Sequence, residues 1–162
     1  MALRNVLTVD AENDSLRKKS REIKVIDDKI RTLAEDMLET LYAQNGVGLA
    51  APQIGVLKRL IIVDIGEGPI TLLNPVIVYQ KGEQEEMEGC LSVPGVWGIV
   101  KRPEKVIVRG ETLEGKVIEV EGEGLLAIAL CHEIDHLNGT LYTDKVIRYV
   151  DPSELSEEGK TN

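Results

Sequence analysis

A chain of 162 residues, 43% hydrophobic and 29% charged, has the balance of one soluble globular domain and leaves no length for a second. A net charge of −9 argues against binding to DNA, because such binding relies on Lys and Arg neutralising phosphates. No apolar stretch approaches the roughly 20 residues that span a bilayer, so no membrane partner is expected. Met1 to Asp10 lacks the basic start and apolar run of a secretory leader, and two cysteines make no disulfide framework, so a cytoplasmic location is expected.

The first predicted element is a helix that Asp27 or Asp28 can cap. Ile30, Leu33, Ala34, Met37, Leu38 and Leu41 recur along it at helical spacing, and it ends near Asn45-Gly46. Short β-rich runs follow at Arg59 to Asp64, Ile70 to Leu73, Val76 to Tyr79, Lys105 to Arg109 and Val117 to Val120, with Gly115 marking a hairpin turn between the last two. From about Gly124 the pattern is helical again, and Leu125, Ile128, Ala129, His132 and His136 share a face. The expected fold is α+β: antiparallel or mixed sheets packed around a metal-binding C-terminal helix, with a second amphipathic helix near the N-terminus. Phe is absent, so the core is built from Ile, Leu and Val. Residues 1–150 read as a single catalytic domain and residues 151–162 as a short, acidic, flexible tail.

His132-Glu133-Ile134-Asp135-His136 places the only two histidines four residues apart, where helical side chains lie one above the other and can meet one metal ion. Glu133, about 100° round the helix, reaches a water on that ion without being a ligand. A catalytic site normally has three protein ligands and one open position. Cys90, in Glu88-Gly89-Cys90-Leu91-Ser92, is the favoured third donor. Cys131 directly precedes His132 and points away from it, which suits a small apolar residue under the helix. Glu154 competes, because some H-E-x-x-H peptidases take a glutamate from a later helix, although Asn138-Gly139 and Asp151-Pro152 make that tail a poor scaffold. The chemistry is hydrolytic: a bound divalent ion lowers the pKa of its water toward neutrality and Glu133 takes the proton. Besides a zinc-dependent peptidase, a non-catalytic peptide-binding module with a structural metal is an alternative reading. It has no use for Glu133.

Gly46-Val47-Gly48-Leu49-Ala50-Ala51-Pro52-Gln53, Glu88 to Ser92, and His132 to His136 stand in the order, and at roughly the separations, of the three motifs of peptide deformylases. The chain resembles that family over nearly its whole length. The resemblance implies that Cys90, His132 and His136 bind one divalent metal ion per chain, with Fe(2+) as the native ion and Zn(2+), Ni(2+) or Co(2+) as alternatives. It implies that Glu133 is the general acid/base, and that Gln53 and the Leu91 backbone N–H stabilise the oxyanion. The substrate would be the formyl-methionine of N-formyl-methionyl nascent peptides, and formate the product. Gly46 and Gly48 leave backbone open for a peptide to add as a strand beside Val47, and Val47, Leu125, Ile128 and Ala129 are placed to line a methionine pocket. Two departures from the family pattern stand out: Cys131 replaces the usual Gln before the first histidine, and a short acidic tail replaces the extended basic C-terminal helix of some bacterial members. The second leaves a transient ribosome contact open but without that helix to make it.

Overall fold

The structure, a computed structural model, describes residues 2–9, 15–151 and 153–154. Helix α1 spans Asp28–Ala43. Its N-cap is Asp27, whose Oδ1 accepts from the Ile30 N–H at 3.1 Å, satisfying one of the amides that a helix start leaves unpaired. Strands β1 (Gly48–Ala50), β2 (Leu60–Val63), β3 (Ile70–Lys81), β6 (Lys105–Glu111) and β7 (Val117–Glu123) form a five-stranded antiparallel sheet in the order β1-β2-β3-β6-β7. Gly115 lies in the β6–β7 turn at φ 81°. Strands β4 (Gln84–Cys90), β5 (Val93–Arg102) and β8 (Val146–Tyr149) form a three-stranded antiparallel sheet in the order β4-β5-β8. Helix α2 spans Leu125–Leu137, and single 3₁₀ turns occupy Ala51–Ile54 and Tyr142–Asp144.

The two helices sandwich the five-stranded sheet, and strand alternation sorts the core between them. Leu49, Leu60, Ile62 and Leu73 point toward Ile30, Leu33, Met37 and Leu41 of α1. Ala50, Ile61, Val63 and Leu72 point toward Ala127, Leu130, Ile134 and Leu137 of α2. The side-chain period of two makes this division obligatory. It also explains why Leu60-Ile61-Ile62-Val63 reads as one unbroken apolar run: both faces of β2 are buried. A smaller cluster of Leu16, Val93, Val100, Leu141 and Tyr142 lies against the second sheet. Among the described residues no helix is long and apolar enough to cross a membrane.

The α+β class, both helices and the Gly115 hairpin agree with expectation; the strand pattern needs correction in two places. The runs Ile70 to Leu73 and Val76 to Tyr79 belong to one strand, which passes Asn74-Pro75 through a register shift with Asn74 at φ 53°. A bulge is where a strand tolerates proline. The strands of the second sheet were not among the predicted runs. Its β4 reads Gln-Glu-Glu-Met-Glu-Gly-Cys, and β5 carries Pro94, Gly95 and Gly98, a composition poor in strand formers. The expected flexible tail lies, apart from Asp151, Ser153 and Glu154, outside the described residues.

Candidate active site

Helix α2 carries His132, Glu133 and His136, all buried. The end of β4 brings Cys90 to them across the sequence. Cys90 Sγ lies 3.3 Å from His136 Nε2, and one donor atom from each of Cys90, His132 and His136 lies within 4.8 Å of the others. Ligands at bond lengths of about 2.0–2.3 Å around a tetrahedral ion sit roughly 3.3–3.8 Å apart; the Cys90–His136 pair has that spacing, and the three residues together could hold one ion. The donor chemistry fits as well, since a thiolate with two imidazoles suits a borderline-soft divalent metal. Neither alternative third donor joins the group. Cys131 packs in the apolar cluster between α2 and the sheet, and burial pushes its thiol up to about 11. Glu154 is turned to the tail, where its carboxylate accepts from the Asp151 N–H at 2.7 Å and faces Arg148.

The histidine next to β4 is braced by charge. Glu88 Oε1 lies 2.8 Å from His132 Nδ1. An ionised carboxylate only accepts, so Nδ1 carries the proton and Nε2 keeps its lone pair for a metal. Burial alone would raise the Glu88 carboxyl. The hydrogen bonds from Arg102 and His132 outweigh it and hold the group at about 2. Arg102 makes a forked pair with Glu88 at 2.8 and 2.9 Å and reaches Asp135 Oδ2 at 2.7 Å, and Lys145 lies 3.0 Å from the same oxygen. Buried charges persist only when paired and fully hydrogen-bonded. This chain of four charged residues runs from the surface to His132.

Glu133 is set differently. Its Oε1 is buried and has no hydrogen-bond partner among the described residues, and burial pushes its carboxyl up to about 7. A carboxyl poised near neutrality can both take and return a proton. Gln53 is fixed at both ends of its amide: Oε1 accepts from the Ala50 N–H at 2.9 Å, while Nε2 donates to Ser92 Oγ at 3.1 Å and faces Cys90 Sγ at 3.6 Å. Its N–H group is therefore aimed at the cysteine.

These groups open into a cavity of about 320 Å³. Gly46, Val47 and Gly48 form one wall, Leu125, Ile128 and Ala129 another, and Gln53, Cys90, Leu91, His132 and Glu133 line it too. His136 is outside that wall but joins the donor group through Nε2. Apart from the alternative donors Cys131 and Glu154, the residues that the sequence put forward for the site lie together here. Further residues at the site were not singled out. Val96 and Trp97 of β5 also line the cavity, and Tyr142 stacks on His132. The one Trp of the chain, seven residues past Cys90, was a signal that could have been used.

Fold and site together define an α+β protein with a Cys-His-His donor group, both histidines buried, and a buried carboxyl whose Oε1 has no hydrogen-bond partner among the described residues, at an apolar cleft. The chain belongs to the polypeptide deformylase family, an enzyme family whose model matches residues 3–151. It is 59% identical over 143 residues to a peptide deformylase of Acetivibrio thermocellus, covering 88% of this chain and 84% of that one. It is 56% identical over 157 residues to one of Thermoanaerobacter pseudethanolicus, covering 97% and 98%. Among solved structures, a peptide deformylase from Legionella pneumophila superposes with a TM-score of 0.85 at 43% identity, covering 98% of this chain and 92% of that one.

Proposed function

We propose that this enzyme removes the formyl group from the N-terminal formyl-methionine of newly made polypeptides and releases formate. The single observation that carries the proposal is the donor group of Cys90, His132 and His136 with the buried Glu133 carboxyl beside it, whose Oε1 has no partner among the described residues. One divalent ion per chain held by those three residues, with Fe(2+) as the native ion and Zn(2+), Ni(2+) or Co(2+) as substitutes, would supply a Lewis acid and a water activated near neutral pH. The remaining work falls to side chains. Glu133 accepts the water proton as the new C–O bond forms, then gives it to the leaving amine as the C–N bond breaks. Gln53 Nε2 and the Leu91 N–H donate to the formyl oxygen where negative charge develops. The peptide adds as a strand beside β1, which is an edge of its sheet, and Leu125, Ile128, Ala129 and Val47 receive the methionine side chain.

The same reading places residues 1–150 in one catalytic domain with 151–162 as its tail, in the cytoplasm, with nascent chains as partner and any ribosome contact transient. The competing peptidase reading needs Glu154 as a ligand, and that carboxylate is bound to Arg148 and the Asp151 N–H. Incubation of the anaerobically purified protein with formyl-Met-Ala and with an unformylated peptide separates the two. Stoichiometric formate from the first alone is expected. New cleavage products from the second would establish a peptidase.

A further inference from the structure

His132 is held by two neighbours that lie outside its own motif. Glu88 fixes Nδ1 at 2.8 Å. Tyr142 lies against the ring itself, with centroids 5.8 Å apart and planes inclined by 24°. One hydrogen bond leaves an imidazole free to rock about the Nδ1–Oε1 line, because the terminal torsion of a histidine is broad. A ring stacked on its face removes that freedom. Tyr142 is itself anchored: it is 1% exposed, packs with Leu16, Val93, Val100 and Leu141, and its hydroxyl donates to the Val96 carbonyl at 2.8 Å. Val96 and Trp97 line the cleft. One side chain therefore touches a metal donor with its ring and the cleft wall with its hydroxyl.

We infer that Tyr142 is a positioning residue with two separable parts: its ring sets the plane of His132 for the metal, and its hydroxyl fixes the Val96-Trp97 segment of β5 as a wall of the peptide cleft. The inference rests on the metal-dependent deformylase reading. Tyr142 touches no reacting atom under that reading. It acts on metal binding through His132 and on substrate binding through the β5 backbone.

Two substitutions divide the roles. Tyr142→Phe keeps the ring and loses the tether, so KM for a formyl-Met tripeptide is expected to rise about threefold to tenfold, the effect of one hydrogen bond. Its kcat, Co(II) affinity and Co(II) visible spectrum stay near those of the wild type. Tyr142→Leu loses the ring, so Co(II) binding is expected to weaken about 10-fold to 100-fold, the range for partners of metal ligands, with shifted Co(II) bands and a lower kcat. A residue that only fills space would lower the unfolding midpoint without moving the bands or separating KM from kcat. Wild-type Co(II) affinity and spectrum in Tyr142→Leu, or an unchanged KM in Tyr142→Phe, would overturn the inference. If Tyr142→Leu does not fold, the longer Tyr142→Met replaces it, and if neither folds the KM of Tyr142→Phe decides. A wild-type protein that binds no Co(II) would bring down the metal reading and this inference together. Variants that behave as a functional wild type would bring down this inference alone.

Discussion

A Cβ added to Gly48 would fall 2.5 Å from Oε2 of Glu133 and 2.9 Å from its Cδ and Cγ. Edge strand β1 and the buried carboxyl of α2 thus share a place that only glycine leaves open. Gly48→Ala is expected to push the carboxyl aside without touching the three donors. A displacement of about 1 Å from productive geometry costs on the order of 100-fold, so kcat falls by that order while bound metal per chain is unchanged. Steady-state kinetics with metal analysis checks this, and a normal kcat would mean the carboxyl swings clear at no cost.

Gln53 presents its amide N–H toward Cys90 because its carbonyl end is held by the Ala50 N–H. If that N–H stabilises charge only as it develops, Gln53→Ala lowers kcat by about 100-fold to 1000-fold with a smaller change in KM. An effect confined to KM would recast Gln53 as a substrate holder.

Cys90→Ala removes the one donor that comes from outside α2. Tightly bound metal is expected to fall well below one equivalent per chain, as measured by elemental analysis after gel filtration, while Glu154→Ala retains a full equivalent. Full stoichiometry in Cys90→Ala would refute the ligand assignment.

Much of this was legible in the sequence, for physical reasons that can be named. Both helices announced themselves because each buries a face against the sheet, and β2 because both its faces are buried. The histidine motif gave two donors, since helical spacing alone brings positions four apart together. The second sheet was illegible because its strands are short, polar or interrupted by Pro94, Gly95 and Gly98, so that their pairing depends on neighbours rather than on an apolar pattern. The same cause hid Val96 and Trp97. The chain from Lys145 through Asp135, Arg102 and Glu88 to His132 joins residues up to 44 apart, and no local period encodes such a contact. Cys131, the departure from the family's usual Gln, is a core residue.

Asp36 of α1 offers a test of stability away from the site. It accepts from the Ala2 N–H at 2.8 Å and from Arg4 at 2.9 and 2.7 Å, and those hydrogen bonds hold its carboxyl below the ordinary value of 3.8. A carboxyl with a depressed folded pKa adds stability above the unfolded value and loses it as pH falls through the folded value. Asp36→Ala is expected to cost about 1–3 kcal/mol at pH 7, with the gap to wild type narrowing below about pH 4. Urea unfolding at several pH values measures it, and a gap independent of pH would show that packing, not charge, is what the substitution removes.

Glu133→Gln tests the central claim most directly, because it leaves Cys90, His132 and His136 intact and removes only the group that can accept a proton. With metal content and formate release measured on the same preparation, the account gives one equivalent of metal, a wild-type fold by circular dichroism, and a kcat for formyl-Met-Ala lower by about 100-fold or more. Near-normal formate release from that fully loaded variant would contradict it and show that another base drives the reaction.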